Sequence, residues 1–109
     1  MQIEIQSTHF TADDALIKLT TEKLSKLEKL YDRIEMCSVV LKKEKNDKKK
    51  RFFVEVRLAV PKEDLFAKEQ AESFALALDG VFNELKKQII KHKVMLREPK
   101  GFHEKISTE

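Results

Sequence analysis

Glycine and proline are scarce in this 109-residue chain, two of each, and tryptophan is absent. So few special-turn residues imply long regular elements, and they leave no glycine-rich loop of the kind that cradles nucleotide phosphates. A single cysteine, Cys37, excludes an internal disulfide and fits a reducing compartment. No apolar run approaches the roughly 20 residues of a membrane span. The first ten residues, MQIEIQSTHF, alternate apolar with polar and lack a signal-peptide core. The chain therefore reads as cytoplasmic, with no membrane partner. Catalytic groupings are missing too. His9, His92 and His103 lie far apart without metal-ligand spacing. Cys37 has no paired histidine or second cysteine nearby, and the carboxylates are scattered among lysines, where they serve as solvated partners. Nothing points to an enzyme, a metal, a cofactor or a small-molecule substrate.

What is present is a high density of charge, 38% of residues, beside a hydrophobic fraction of 41%. A chain of this length folds as one domain that buries roughly 65% of its unfolded surface. Residues 1–97 carry periodic patterns and form that domain; residues 98–109, after the last periodicity fades near Pro99 and Gly101, read as a flexible tail.

Ile3 and Ile5 alternate with polar residues, which predicts a strand over 2–7. Thr11 is placed to cap a helix, with Asp13 and Asp14 in its first turn. That helix turns Ala12, Leu16, Leu19, Leu27 and Leu30 inward, with Leu24 beside them, and ends near 30–33. Strands follow over 34–43 and 51–60, joined by a lysine-rich hairpin loop around Asn46-Asp47 in which charge is easily solvated. Pro61 stops the third strand, residues 61–64 turn, and a weaker strand spans 65–72. Ser73 caps a final helix whose inward stripe is Phe74, Leu78, Val81, Leu85, Ile89, His92 and Leu96. Gly80, costly inside a helix, marks close packing or a bend. The fold class is α+β, ordered β-α-β-β-β-α, with two helices packed on one face of a four-stranded sheet.

The net charge of only +3 means that any polyanion signal lies in segregation of charge rather than in its total. Residues 86–97 read KKQIIKHKVMLR, with five full positive charges and no acid. Macrodipole preference explains cations in the last turn of a helix, but this run covers about three turns. Lys86, Lys93 and Arg97 share one side, flanked by Lys87 and Lys91. In the first helix Lys26, Lys29 and Arg33 share a flank. Side by side, the two helix ends would make one positive surface suited to RNA. Most aromatics, Tyr31 included, fall in phase with the core, with Phe53 on the open sheet face and Phe102 in the tail as exceptions. An RNA-recognition motif would instead run β-α-β-β-α-β and use sheet aromatics, so helix cations point to structured RNA bound by shape and phosphate.

Three blocks, Leu27-Glu-Lys-Leu-Tyr-Asp-Arg-Ile34, Val39-Val-Leu-Lys-Lys-Glu-Lys45, and Leu78-Asp-Gly80 followed by Lys91-His-Lys93, resemble the ribosome hibernation promoting factor family. Its relatives are called ribosome-associated translation inhibitor or ribosomal subunit interface protein. The resemblance covers about residues 1–97 and implies a fold similar to double-stranded RNA-binding domains. It also implies binding to ribosomal RNA of the small ribosomal subunit, where messenger RNA and the A- and P-site transfer RNAs pass. Idle ribosomes would thereby be silenced under stress or in stationary phase. Carried onto this chain, the RNA-binding candidates are Lys23, Lys26, Lys29, Arg33, Lys86, Lys87, Lys91, His92, Lys93 and Arg97. Family members often open the last helix with acid-Met-Tyr-Ala-Ala-Ile-Asp, where this chain has Ser73-Phe-Ala-Leu-Ala-Leu-Asp79 without the tyrosine. The chain resembles the short form, expected to be a monomer off the ribosome. The competing reading is a basic protein-interaction module that regulates an acidic partner protein such as a sigma factor.

Overall fold

The computed structural model describes residues 1–45, 49 and 51–97, Arg97 through its backbone alone. The expected turn at Asn46-Asp47 and the expected tail over 98–109 lie outside the described residues. Six elements follow in the order β1 (Gln2–Thr8), α1 (Asp14–Leu30), β2 (Met36–Lys43), β3 (Phe52–Val60), β4 (Glu63–Ala71) and α2 (Phe74–Arg97). They build one four-stranded sheet in the order β1-β2-β3-β4. β1 runs parallel to β2 (Ile3 opposite Cys37), because α1 carries the chain back across the sheet. The β2–β3 and β3–β4 pairs are antiparallel hairpins, with Val39 opposite Val56 and Leu58 opposite Leu65.

Alternation along the strands sends Cys37, Val39, Leu41, Val54, Val56, Leu58, Leu65 and Ala67 to one face, where both helices cover them. From α1 come Leu24 and Leu27, and from α2 come Leu78, Val81, Leu85 and Ile89, all in the same core cluster. The helices touch directly. Lys23 Nζ reaches Asp79 at 2.7 Å, and the Tyr31 and His92 rings meet edge to face at 5.6 Å. Gln88 pins α2 to the exposed strand edge: its amide nitrogen donates to the Phe66 carbonyl at 2.9 Å, and its oxygen accepts from Phe66 N–H at 3.2 Å. Those bonds satisfy backbone groups that an edge strand otherwise leaves open.

Several local expectations are corrected. The N-cap of α1 is Asp13, not Thr11: the Asp13 carboxylate accepts from Leu16 N–H at 2.9 Å. A carboxylate suits the positive helix end better than a hydroxyl does. Starting there, the inward stripe runs Leu16, Thr20, Leu24, Leu27, with Leu19 left 41% exposed. The turn after β3 shrinks to Pro61-Lys62, because Lys62 adopts φ 73° and closes a two-residue hairpin that pairs Val60 with Glu63. Hence Glu63 and Asp64 belong to β4. Leu96 also leaves the stripe, at 41% exposure. A helix of 24 residues is about 36 Å long, whereas a nine-residue strand reaches about 30 Å, so α2 overhangs the sheet. Ser73 caps α2 as expected, its hydroxyl accepting from Leu76 N–H at 3.1 Å. Gly80 marks close packing: a Cβ there would lie 2.7 Å from Glu69 Cγ.

Cys37 is fully buried opposite Ile3 and Leu58, and burial pushes its thiol up to about 12. Native protein at pH 8 should therefore resist a disulfide reagent, and labelling should follow the unfolding rate. Fast, stoichiometric labelling of folded protein would contradict this burial.

Candidate nucleic-acid interface

Both helices run toward the sheet end where β2 begins and the β3–β4 turn lies, so their C-terminal halves share one pole of the molecule. The contact that joins them is specific. Lys93 Nζ donates to the carbonyl of Leu30 at 2.8 Å, tying α2 to the last residue of α1. That carbonyl is one that α1 cannot satisfy within itself. The same ammonium lies 6.0 Å from the Tyr31 ring centroid. Tyr31, Arg33, Lys93 and Leu96 together line a groove of about 240 Å³ between the helix ends.

The ten sequence candidates separate into distinct positions. Lys26, Lys29, Arg33 and Lys86 are exposed. Lys86 and Lys93, seven residues apart, share the flank of α2 that faces α1. Lys87 is exposed on the outer side of α2. Lys91 is exposed too, but on the opposite flank, lining a shallow pocket with Glu63, Asp64 and Gln88 beside β4. Lys23 is engaged within the fold: besides its ion pair with Asp79 it sits 4.8 Å from the Phe82 ring centroid. Arg97 is the last residue of α2.

His92 is placed apart from the exposed cations. It is only 3% exposed, and its Nδ1 pairs with the Glu63 carboxylate. With Tyr31 against its ring, it links α2 to the start of β4 and to the end of α1. Its Nε2 and the Tyr31 hydroxyl are buried without a partner among the described residues. The sequence places His92 both on the inward stripe and among the RNA-binding candidates, and its burial matches the stripe. Tyr31 is the core aromatic that the pattern predicts, at helical spacing from Leu27, whereas Glu63 falls where the sequence predicts a turn and carries no signal of this role.

Chemically, the pole offers fixed positive charge on two helices held at a set spacing, the arrangement that positions phosphates rather than reads bases. Among the described residues, no group of three or more histidines, cysteines or acids is placed to hold a metal ion. Among the described residues, no helix is long and apolar enough to cross a membrane.

The sequence profile of one family, described as Sigma 54 modulation protein / S30EA ribosomal protein, matches residues 3–97. The chain belongs to this family. Among S30EA relatives, the ribosome hibernation promoting factor of Escherichia coli strain K12 is 32% identical over 98 residues, 90% of this chain and 99% of that protein. The factor of the same name from Azotobacter vinelandii is 33% identical over 93 residues, 85% of this chain and 83% of its own length. In three dimensions the chain is similar to a ribosomal subunit interface protein from Coxiella burnetii. The TM-score is 0.76 at 21% identity, covering 86% of this chain and 99% of the other. The N-terminal domain of Thermus thermophilus Protein Y gives a TM-score of 0.73 at 21% identity, covering 84% and 99%. These two likenesses establish a shared fold.

Proposed function

We propose that this S30EA-family protein is a cytoplasmic ribosome hibernation factor. Its helix cations grip ribosomal RNA of the small subunit where messenger RNA and the A- and P-site transfer RNAs pass, and idle ribosomes are silenced under stress or in stationary phase. The relatives named ribosome hibernation promoting factor support the biological role. The observation that carries the molecular part is the Lys93–Leu30 bond, which holds the cationic ends of α1 and α2 together as one surface. Phosphates placed against that surface would meet Lys26, Lys29, Arg33 and Lys86, all exposed. A preformed surface loses little conformational freedom on binding, so charge attraction is not spent on ordering the helices.

The test is co-sedimentation of the purified protein with small subunits, large subunits and assembled ribosomes across a salt series, beside pull-down on an isolated sigma factor. The expected result is capture by small subunits and ribosomes, lost steeply with salt, together with inhibition of cell-free translation. Tight binding to the sigma factor with no ribosome capture would favour the acidic-partner reading instead.

A further inference from the structure

The opposite pole, where β2 ends and α1 and α2 begin, carries a second concentration of positive charge. Among the described residues of 42–51, Lys42, Lys43, Lys45, Lys49 and Arg51 stand against one acid, Glu44. Sequence reading treats such a run as solvated loop charge, but the strand-end cations stand over aromatic rings. Lys43 Nζ lies 5.1 Å from the Phe10 centroid and 6.0 Å from that of Phe52. The Arg51 guanidinium lies 5.8 Å from the Phe52 centroid. Phe10 stacks on Phe74 at 5.3 Å, and Phe52 meets Phe74 edge to face at 4.9 Å. Between these rings opens a cavity of about 250 Å³, with Thr11 and Asp13 also on its wall. That is below the roughly 300–1,000 Å³ of sites for drug-sized ligands, and suits a single flat ring system.

We propose that this pole is a second RNA site, in which one unpaired base enters the Phe10/Phe52/Phe74 cavity while Lys43, Lys45 and Arg51 take the flanking phosphates. Phe74 is the buried back wall, and Phe10 and Phe52 are half-buried, so their rings reach the opening. Stacking a base on such a ring is worth more than an exposed ammonium over it. An entering base therefore displaces the Lys43 ammonium, which turns outward to a phosphate. Lys45 and Arg51 are exposed beside it. Lys42 contributes less, since Glu44 pairs with it at 3.1 Å. The Asp13 carboxylate on the wall can accept from an exocyclic amino group, as acids do from cytosine. Adenine, guanine and cytosine should therefore be preferred to uracil. This site reaches beyond the ribosome-binding surface: it lies at the far end of the strands and asks only for a single-stranded nucleotide.

The experiment uses the full chain and two probes. Fluorescein-labelled hexa-adenylate reports strand binding by anisotropy. Adenosine, uridine and ribose 5-phosphates, titrated separately, report the cavity through the ring resonances of Phe10 and Phe52. Adenosine monophosphate should shift both rings saturably and most strongly, uridine monophosphate less, and ribose 5-phosphate least, since it can draw Lys43 outward but stacks no base. K45E/R51E, at exposed positions that leave the melting temperature in place, should weaken hexa-adenylate by roughly tenfold or more. K26E/K86E, at the other pole, should leave hexa-adenylate binding within about twofold of wild type, whatever it does to ribosome capture, so the two sites can fail separately. Ring shifts equal with ribose 5-phosphate, no shift with adenosine monophosphate, or full hexa-adenylate affinity in K45E/R51E would each overturn the proposal. So would loss of hexa-adenylate binding in K26E/K86E alone.

Discussion

Replacing Lys26, Lys29, Arg33 and Lys86 together with glutamate should abolish ribosome co-sedimentation while leaving the fold intact. All four are exposed, and none takes part in the contacts that hold α1 to α2. Each phosphate that a cation neutralises contributes a slope of roughly −0.9 to the log–log dependence of affinity on salt. Losing four such contacts should flatten the slope by about 3.6, before the repulsion from four new carboxylates is counted. The choice of positions matters. Lys93→Glu would set a carboxylate against the Leu30 carbonyl that Lys93 now satisfies, and Lys23→Glu would face Asp79. Either change should lower thermal stability as well as binding, which confounds the reading. Lys91→Glu, on the flank beside Glu63, should cost less binding than Lys86→Glu. A quadruple variant that melts normally and keeps the wild-type salt profile would place the ribosome-binding surface elsewhere.

Element order and the β2–β3–β4 hairpins were readable because period-two alternation in Cys37, Val39, Leu41 and in Val54, Val56, Leu58 admits one buried face, and short connections leave little choice of neighbour; the parallel seat of β1 beside β2, reached across α1, was not. The phase of α1 was not readable in the same way. Leu16, Ile17, Leu19, Leu24, Leu27 and Leu30 supply more apolar residues than one stripe can hold, so hydrophobicity alone does not choose among faces. Docking through Leu24 and Leu27 chose, and it put Thr20 inward and Leu19 outward. The candidate interface divides along similar lines. Cationic helix ends are visible as composition. Which of those cations are already engaged, Lys23 with Asp79 and Lys93 with Leu30, depends on contacts across 56 and 63 positions that no local pattern encodes. His92 shows the same limit: helical spacing placed it on the inward stripe, and only the approach of Glu63 and Tyr31 gives it a structural partner.

Leu85→Ala and Leu27→Ala should each destabilise the protein by about 2–5 kcal/mol, the range for truncating a fully buried leucine. Both side chains are 0% exposed and belong to the same core cluster. In a domain of this size that loss corresponds to a drop in melting temperature of roughly 8–20 °C. The origin is the cavity as well as the lost transfer energy: Leu85 sits between Val81 and Ile89 over the sheet, and Leu27 lies one turn before Tyr31, so neither site can collapse without moving a helix. Leu76→Ala, at 55% exposure on the outer side of α2, is the matched control and should change stability by less than about 0.5 kcal/mol. Ribosome capture by the two core variants, measured well below their melting temperatures, should keep the wild-type salt slope, because no phosphate-facing cation has been removed. A changed slope at a temperature where the variant is folded would mean that the spacing of the two helices, and not the charges alone, sets the fit to RNA. Unchanged melting in Leu85→Ala would contradict the packing of α2 on the sheet.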